Sequence, residues 1–198
     1  MLSKAEKTRE FIIHKAAPVF NKKGYAGTSL TDLIQVTGLT KGAIYGNFEN
    51  KDEVAVAVYQ YNTGWVFKKF VDVMNEQESA TGKLIAFTNY YRTNWQKVFE
   101  RGGCPVLNAS VEADDNLPFL KKHVQTSIKK WAQLFTEIIE TGKQNGEFKK
   151  NISAMEYAYS IITLIEGGIM LFKIENDRDR LFAALDRIVK MVNEEMKK

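Results

Sequence analysis

The sequence predicts an all-α protein of about nine helices. Only three prolines occur in 198 residues, and no segment shows a convincing alternation of apolar and polar residues. Apolar residues instead recur at helical spacing, and most of these runs follow a capping signature or end at glycine. We expect an N-terminal three-helix domain over residues 1–50, a linker helix over about 51–75, and a C-terminal helical domain over 76–198.

The first helix is predicted from Ser3 to about Lys23. Ser3 and Glu6 have the spacing of a capping box, and Gly24 can end the helix. Pro18 should bend the helix or remove one backbone hydrogen bond. The apolar positions on one side are Phe11, Ile12, Ala16, Val19 and Phe20.

Two short helices joined by a tight turn are predicted next. Ser29 and Asp32 form a second capping-box signature, Gly38 can adopt the left-handed conformation that ends a helix, and Thr40 can cap the helix that follows. The apolar residues expected to point inward are Leu30, Leu33, Ile34, Ile44 and Phe48. This order is typical of a helix-turn-helix, whose second helix enters the major groove of DNA.

The same residues carry a family resemblance. The run from Gly38 to Tyr45, GLTKGAIY, followed by Phe48 and Lys51, resembles the signature of TetR-type (tetracycline-repressor-type) transcriptional regulators. Upstream, the resemblance includes Ala16-Ala17, Phe20, Lys23-Gly24-Tyr25, Thr28 and Asp32-Leu33-Ile34, so it covers roughly the first 60 residues. It implies an all-helical homodimer with an N-terminal DNA-binding domain and a larger domain that binds a small effector and dimerises.

The remaining helices are predicted from caps, glycines and prolines. Asn50 and Glu53 form a capping-box signature for the linker helix, and Ser153 and Glu156 have the same spacing further along the chain. The predicted segments after the linker run over about 83–101, 105–115, 118–142, 157–172 and 177–197. Gly102-Gly103 separates the first two of these segments.

The basic surplus lies at the N-terminal end of the chain. Residues 1–51 contain 8 Lys or Arg and 4 Asp or Glu, which leaves 20 of each sign in residues 52–198 and places the whole net charge of +4 in the first quarter. This distribution suits a polyanion bound at one end of the molecule. The alternative is a chance clustering of surface lysines.

DNA contacts can be assigned by residue type and by resemblance. Hydroxyl and ammonium groups near predicted helix starts suit phosphates, and these are Thr28, Ser29, Thr40 and Lys51. The resemblance adds Tyr45 as a phosphate contact and implies that Lys41, Gly42, Ala43 and Asn47 face base edges. Lys41 could donate to guanine and Asn47 could read adenine, or both could be solvated surface residues; Tyr45 could instead pack against the first helix. Gly46 departs from the family pattern and offers no side chain to a base.

The resemblance also implies an effector pocket in the C-terminal domain. The candidate lining residues are Tyr91, Trp95, Phe99, Asn108, Glu112, Trp131, Phe135, Glu166 and Met170. Aromatic walls with a few polar groups are typical of small-molecule sites, but aromatic residues at helical spacing also form ordinary cores. Glu166 needs a partner, because its helix is otherwise apolar.

Two predicted helices suggest a homodimer. The segment 157–172 is apolar nearly all round, Gly167-Gly168 would permit close helix approach, and a stripe along 181–192 could pair with it in a four-helix interface. The alternative is that both helices complete the core of one subunit.

Several classes of site are not indicated by the sequence. The single Cys104 cannot form an intrachain disulfide, and it reads either as a packing residue or as an electrophile sensor near a helix start. His14 and His123 lack the spacing of metal ligands, so we expect no metal site and no cofactor. The apolar run 159–172 is too short to cross a bilayer and contains Glu166, so we expect a cytoplasmic protein without membrane association.

The sequence therefore predicts a ligand-responsive repressor that binds a palindromic operator on double-stranded DNA as a homodimer and is released by a small-molecule effector. An enzyme with an incidental helix-turn-helix is the first alternative, although no nucleophile elbow, phosphate loop or catalytic triad can be identified. A DNA-binding architectural protein without an effector is the second alternative.

Overall fold

The computed structural model describes residues 2–198 and consists of α-helices and their connections. In chain order the helices are α1 (Lys4–Lys23), α2 (Leu30–Thr37), α3 (Lys41–Tyr45), α4 (Lys51–Asn75), α5 (Ala80–Glu100), α6 (Pro105–Asp115), α7 (Pro118–Gln144), α8 (Ala154–Glu175) and α9 (Arg178–Lys190), followed by a π-helical turn, Met191–Met196. Within residues 2–198 the β pairing is a lone antiparallel bridge between Phe148 and Lys197. The predicted all-α class and the number of helices are confirmed.

The first of two compact units comprises Met1–Val66 and Arg101–Thr126. Its core is mainly apolar, and the buried side chains from α1 to α4 include Ile12, Phe20, Leu33, Ile44 and Val58. Pro18 lies inside α1 without ending it, and Gly24 follows the helix with φ of 86° and donates its N–H to the Phe20 carbonyl. The predicted start and end of α1, including the Ser3–Glu6 capping box, are confirmed.

The start of α4 differs from the predicted capping box. Asn50 Oδ1 accepts a hydrogen bond from the Glu53 N–H at 2.9 Å, as the signature predicts. The Glu53 carboxylate, however, accepts from the Glu49 N–H at 2.7 Å and pairs with Arg9. The second half of the predicted box is therefore replaced by a hydrogen bond from the residue before Asn50, and Glu53 also forms a long-range ion pair that the local spacing does not encode.

The second compact unit comprises Phe67–Glu100 and Ser127–Lys198. Helix α5 begins at Ala80, three residues earlier than predicted, because the Glu147 carboxylate accepts hydrogen bonds from the N–H groups of Ala80 and Thr81, both at 2.9 Å. These donors at the start of a helix have no partner within the helix, so a carboxylate there stabilises the earlier start. This carboxylate lies 66 residues away in sequence, whereas Ser79 Oγ, which accepts from the Gly82 N–H at 2.9 Å, caps the same helix start locally.

Helices α8 and α9 pack closely within this unit. A Cβ added to Gly168 would lie 2.8 Å from the Cβ of Ala184, whereas a Cβ added to Gly167 would meet no atom within 4 Å. Of the predicted glycine pair, Gly168 thus serves the contact between α8 and α9. The predicted last helix is α-helical only to Lys190, and the π-helical turn continues it to Met196.

One side of α8 is exposed, although its composition predicts burial on several sides. The exposed large apolar residues of this helix are Met155, Tyr159, Met170, Leu171 and Ile174. Helix α8 is long and apolar enough to cross a membrane by length and composition, a test that core helices of soluble proteins also pass. Seven of its residues are buried, among them Ile161, Ile165 and Ile169.

The linker helix predicted over 51–75 is present as α4. The predicted domain boundaries at residues 50 and 76 stay predictions. The compact units divide the chain differently, since α6 belongs to the same unit as α1, α2 and α3.

Candidate nucleic-acid interface

Helices α2 and α3 form the predicted helix-turn-helix. Ser29 Oγ accepts from the Asp32 N–H at 3.2 Å, and the Asp32 carboxylate accepts from the Ser29 N–H at 2.8 Å. Gly38 ends α2 in the left-handed conformation, with φ of 69° and ψ of 10°. Thr40 Oγ1 then accepts from the Ala43 N–H at 3.2 Å and caps α3. These predicted caps are confirmed, and together they fix where both helices begin.

The inward and outward faces of α3 are clearly separated. Ile44 is fully buried and Phe48 is 2% exposed, so these side chains anchor the segment to the core of the first unit. Thr40, Lys41 and Gly42 are exposed, whereas Ala43 and Tyr45 are half-buried. The exposed start of α3 presents backbone N–H groups together with the Lys41 ammonium, an arrangement that suits phosphates and acceptor atoms of bases.

Of the two phosphate contacts predicted at the start of α2, one is exposed and the other is buried. Ser29 is exposed at the start of α2. Thr28 is fully buried, and its hydroxyl donates to the Gly24 carbonyl at 2.7 Å. The role predicted for the Thr28 hydroxyl is therefore revised, because this hydroxyl closes the turn between α1 and α2 and does not lie on the surface.

Lys51 and Asn47 also form hydrogen bonds within the chain. Lys51 Nζ lies 3.1 Å from the Thr28 carbonyl oxygen and 3.4 Å from that of Ala26. The Asn47 side-chain amide donates to the Ala43 carbonyl at 2.9 Å. An ammonium has three donors, so Lys51 retains one for a phosphate. Asn47 must rotate away from Ala43 before its amide can present both donor and acceptor to an adenine.

Arg9 is a residue of this region that sequence reasoning missed. Its guanidinium donates to the Asn47 carbonyl at 2.6 Å and to Glu53 Oε1 at 2.7 Å, and it lies 4.0 Å from the centroid of the Phe48 ring. Helix α1 thereby holds the chain immediately after α3. The partners are 38 and 44 residues away in sequence, so no local motif signals them.

The ionised state of two carboxylates supports this geometry. The hydrogen bond from Lys23, with further hydrogen bonds from Ser29, lowers the pKa of Asp32 to about 2. The Glu49 N–H and the Arg9 guanidinium lower the pKa of Glu53 below its usual range. Both carboxylates are therefore charged at neutral pH, and each holds one boundary of the helix-turn-helix.

The residues predicted to line an effector pocket fall into separate groups. In the first unit, the Asn108 amide donates to the Asn21 carbonyl at 2.9 Å and the Glu112 carboxylate accepts from the Ala26 N–H at 2.6 Å. The polar groups of Asn108 and Glu112 thus hold backbone of the first unit, and the predicted place of these residues in a pocket stays a prediction.

The aromatic candidates belong to the second unit. Tyr91, Trp131 and Phe135 pack in one cluster with Phe70 and Phe87, in which neighbouring ring centroids lie 4.8–6.2 Å apart. Tyr91 is 4% exposed and Phe135 is 1% exposed, as expected for core residues. This packing favours the core interpretation for these rings.

The remaining candidates lie on α5 and α8. Trp95 and Phe99 both contact Phe172. Glu166 is half-buried with its Oε2 atom enclosed, whereas Met170 is 48% exposed. Their place in a pocket stays a prediction.

Two clefts in the second unit have other linings. A cleft of about 240 Å³ lies among α4, α5 and α7, with Met74, Leu134 and Ile138 among its lining residues. A wider groove of about 750 Å³ runs along α8 and α9, where Met155, Tyr159 and Met191 contribute apolar surface. Neither cleft is lined by a residue predicted for the effector pocket. Among residues 2–198, no group of three or more His, Cys, Asp or Glu side chains could hold a metal ion.

The chain matches two family models. Residues 12–58 match bacterial regulatory proteins of the tetR family, and residues 80–188 match the Tetracyclin repressor-like C-terminal domain. The first match contains α2 and α3, and the second spans more than half of the chain.

Individual relatives agree with these matches. A TetR family transcriptional regulator from Cytophaga hutchinsonii is 38% identical, with a TM-score of 0.95 over 100% of this chain and 98% of the other. The HTH-type transcriptional repressor DhaR of Mycobacterium sp. (strain GP1) is 22% identical over 87% of this chain and 86% of its own length. The TetR family regulator CifR, solved with 26 bp of double-strand operator DNA, shares the fold with a TM-score of 0.82 at 19% identity, over 91% of this chain and 94% of the other.

Proposed function

We propose, since this chain belongs to the TetR family and is a DNA-binding transcriptional regulator, that it represses transcription by inserting α3 into the major groove of a palindromic operator. The observation that carries this proposal is the capped α2–α3 pair, whose α3 is anchored by buried Ile44 and exposes Thr40 and Lys41. Regulators of this family are transcription factors, so the enzyme alternative is set aside.

The proposed DNA contacts divide into two kinds. Ser29, Thr40, Tyr45 and Lys51 would meet phosphates, while Lys41, Gly42, Ala43 and Asn47 would face base edges. The exposed position of Lys41 and the N-terminal N–H groups of α3 support this division. Gly46, the residue after α3, has no side chain that could contact a base, so few side chains would recognise bases directly. DNA shape would then contribute correspondingly more to specificity.

We further propose that the protein acts as a homodimer in the cytoplasm. This proposal is supported by the exposed apolar side of α8, where Met170, Leu171 and Ile174 offer apolar surface that a partner would cover. A second copy related by a two-fold axis would cover the same patch on both subunits. Two α3 helices would then read two half-sites of the operator.

A small-molecule effector would bind the C-terminal domain and favour a state with low operator affinity. The aromatic residues Trp95 and Phe99, which contact Phe172, supply apolar surface for such a molecule. Coupling between two such sites is typically about 1–3 kcal/mol. A thermal-shift screen of small molecules distinguishes this proposal from a DNA-binding architectural protein, because a ligand raises the unfolding temperature only if the folded protein binds it.

The central experiment is selection of bound DNA from a random duplex pool by the purified full-length protein. We expect an enriched sequence with two-fold symmetry. Enrichment of no sequence at moderate salt would refute operator recognition, and an enriched sequence without symmetry would refute the dimeric mode of binding.

The dimer is tested separately by analytical ultracentrifugation. Ile174→Glu, at a residue that is 82% exposed, should shift the protein toward monomer, because a buried charge in an apolar interface is costly. Lys173→Glu provides a control, because it also introduces a glutamate, at the exposed position directly before Ile174. Unchanged dimerisation of Ile174→Glu would refute the proposed surface.

A further inference from the structure

We propose that Glu112 of α6 is a positioning residue that holds the turn between α1 and α2 in its DNA-binding conformation. The inference concerns residues 24–28, called the head turn below, and it rests on the proposed operator binding. Glu112 itself would not touch DNA. It would act through the backbone from which α2 begins.

Both oxygens of the Glu112 carboxylate bind the head turn. Oε1 accepts from the Tyr25 N–H at 2.9 Å, and Oε2 accepts from the Ala26 N–H at 2.6 Å. Helix α1 has ended at Lys23, so these donors have no acceptor in regular structure. A carboxylate that takes both donors forms charge-assisted hydrogen bonds, which are stronger than neutral ones.

Gly24 makes this approach possible. Its φ is +86°, a conformation that residues with a Cβ rarely adopt, and a Cβ built on it would lie 2.7 Å from Glu112 Oε1. The glycine thus meets two requirements at once, since it ends α1 and leaves room for the carboxylate.

Other side chains hold the carbonyl groups of the same turn. Lys51 Nζ lies 3.1 Å from the Thr28 carbonyl oxygen, and the Thr28 hydroxyl donates to the Gly24 carbonyl at 2.7 Å. Glu112 therefore binds the N–H groups of the head turn, while Lys51 and Thr28 bind its carbonyl groups. With both kinds of backbone group bound, the turn has little freedom to change conformation.

A second set of hydrogen bonds fixes the start of α6 against α1. The Asn108 amide donates to the Asn21 carbonyl at 2.9 Å and to the Gly102 carbonyl at 2.8 Å. Asn21, which is 6% exposed, donates to the carbonyls of Arg101 and Gly103 at 2.7 and 3.1 Å. Helix α6 is therefore held to the end of α1 at two places, one turn apart along α6.

Tyr25 connects this clamp to the core of the first unit. Its ring is 1% exposed and lies 5.4 Å from the ring of Phe20 and 6.1 Å from that of Tyr59, measured between centroids. The residue whose N–H binds Glu112 thus also contacts α1 and α4. A displacement of α6 would pull on the head turn and on the start of α2, where Ser29 lies.

The test compares Glu112→Gln with the matched control Asp114→Asn. Both changes replace a carboxylate by an amide on α6, but Asp114 is exposed and pairs with Lys121 at the surface. A glutamine offers one acceptor oxygen and turns an NH₂ group toward the second N–H, so one hydrogen bond is lost and a repulsive contact replaces it. Affinity for the selected operator is measured by fluorescence anisotropy, with the folded fraction checked by circular dichroism.

We expect Glu112→Gln to weaken operator binding about 10-fold, and Asp114→Asn to leave it unchanged. Amide hydrogen exchange at residues 25 and 26 should become faster in Glu112→Gln. The slope of log affinity against log salt should stay at the wild-type value, since Glu112 neutralises no phosphate. A changed slope, unchanged affinity or tighter binding would each overturn the proposal.

Glu112→Asp provides a second variant, should Glu112→Gln fail to fold. It retains the charge but shortens the side chain by one methylene, so we expect a smaller loss of affinity together with faster exchange at residues 25 and 26. If Glu112→Asp binds the operator with wild-type affinity and amide exchange at residues 25 and 26 is unchanged, the proposed role of Glu112 is refuted. If the wild-type protein selects no operator, the proposed function fails; if it selects one that the Glu112 variants bind equally well, only this inference fails.

Discussion

The guanidinium of Arg9 donates to the backbone carbonyl of Asn47 at 2.6 Å, and this contact joins the first helix of the chain to the residues that follow α3. Helix α3 has only five residues, too few to be stable by itself. Its orientation therefore depends on groups outside it. Arg9 supplies several of these interactions, since it also pairs with Glu53 and stacks on Phe48.

Arg9→Lys should weaken both stability and operator binding. A lysine retains the charge but cannot bind Asn47 and Glu53 at once through a planar fork. We expect the free energy of unfolding to fall by about 1 kcal/mol, a value reduced for partial exposure of the ion pair, and operator affinity to fall several-fold. Urea denaturation and fluorescence anisotropy measure the two effects.

Lys22→Ala is the control for this variant, because Lys22 is an exposed residue of the same helix. It should change the free energy of unfolding by no more than about 0.5 kcal/mol. Wild-type stability and operator affinity of Arg9→Lys would show that Arg9 contributes only its charge, which lysine retains.

Lys51→Ala should weaken binding to every duplex and reduce the slope of log affinity against log salt by about one unit. One phosphate contact and its released counterion would be lost. Because Lys51 also binds the carbonyls of Ala26 and Thr28, we expect a lower unfolding temperature as well. Titrations at several salt concentrations give the slope.

Lys68→Ala removes the same charge from an exposed position of α4, where Lys68 pairs with Asp72. Its salt slope should equal that of the wild-type protein. A wild-type slope for Lys51→Ala would mean that Lys51 acts only within the fold.

The contribution of Asp32 to stability should disappear in acid. Folding lowers the pKa of Asp32 from 3.8 to about 2, chiefly through Lys23, so the charged form stabilises the folded state above pH 3.8 and this stabilisation is lost as the pH falls toward 2. Asp32→Asn should therefore be less stable than the wild-type protein at pH 6, with a difference that closes between about pH 4 and 2. Lys23→Met should reproduce part of this pattern; a difference that does not depend on pH would contradict it.

The adjacent glycines of α8 should respond oppositely to alanine. Gly168→Ala would place its Cβ 2.8 Å from Ala184, so we expect a loss of about 1–3 kcal/mol from overpacking. Gly167→Ala meets open space and should stabilise the helix by about 0.5–1 kcal/mol. Thermal denaturation at one protein concentration compares them, and equal destabilisation by both changes would contradict the packing described for α8 and α9.

Local pattern predicted those parts of the fold whose interactions are local. The capping boxes Ser3–Glu6 and Ser29–Asp32 join residues that are three apart in sequence, so both can be predicted from local spacing. Gly38, which ends α2, can also be predicted, because the left-handed conformation depends on that residue alone. The start of α5 combines both kinds of interaction, because Ser79 Oγ caps it locally through the Gly82 N–H while the carboxylate of Glu147 binds it from 66 residues away.

The candidate interface shows the same limit. The exposed start of α3 was predicted from caps and resemblance, whereas Arg9 and Glu112 act on backbone groups far along the chain. A single sequence does not indicate such pairs. A charged residue that binds backbone far along the chain has the same local pattern as one that faces only solvent. The burial of Thr28 was missed for a related reason, since a threonine before a helix suits either a phosphate or a turn.

The brevity of α3 limits how much information one subunit can read. Five residues rise about 7.5 Å along a helix axis, roughly the length of two base-pair steps. Each well-placed contact to a base discriminates by about 1–3 kcal/mol, so two or three contacts of middling strength give about 4–6 kcal/mol. Selecting one site among about 10⁶ competing sites of a genome requires about 8 kcal/mol. In the proposed dimer, two α3 helices at a fixed spacing would multiply the selectivities of the two half-sites, which would compensate for the few base contacts that one such short helix can make.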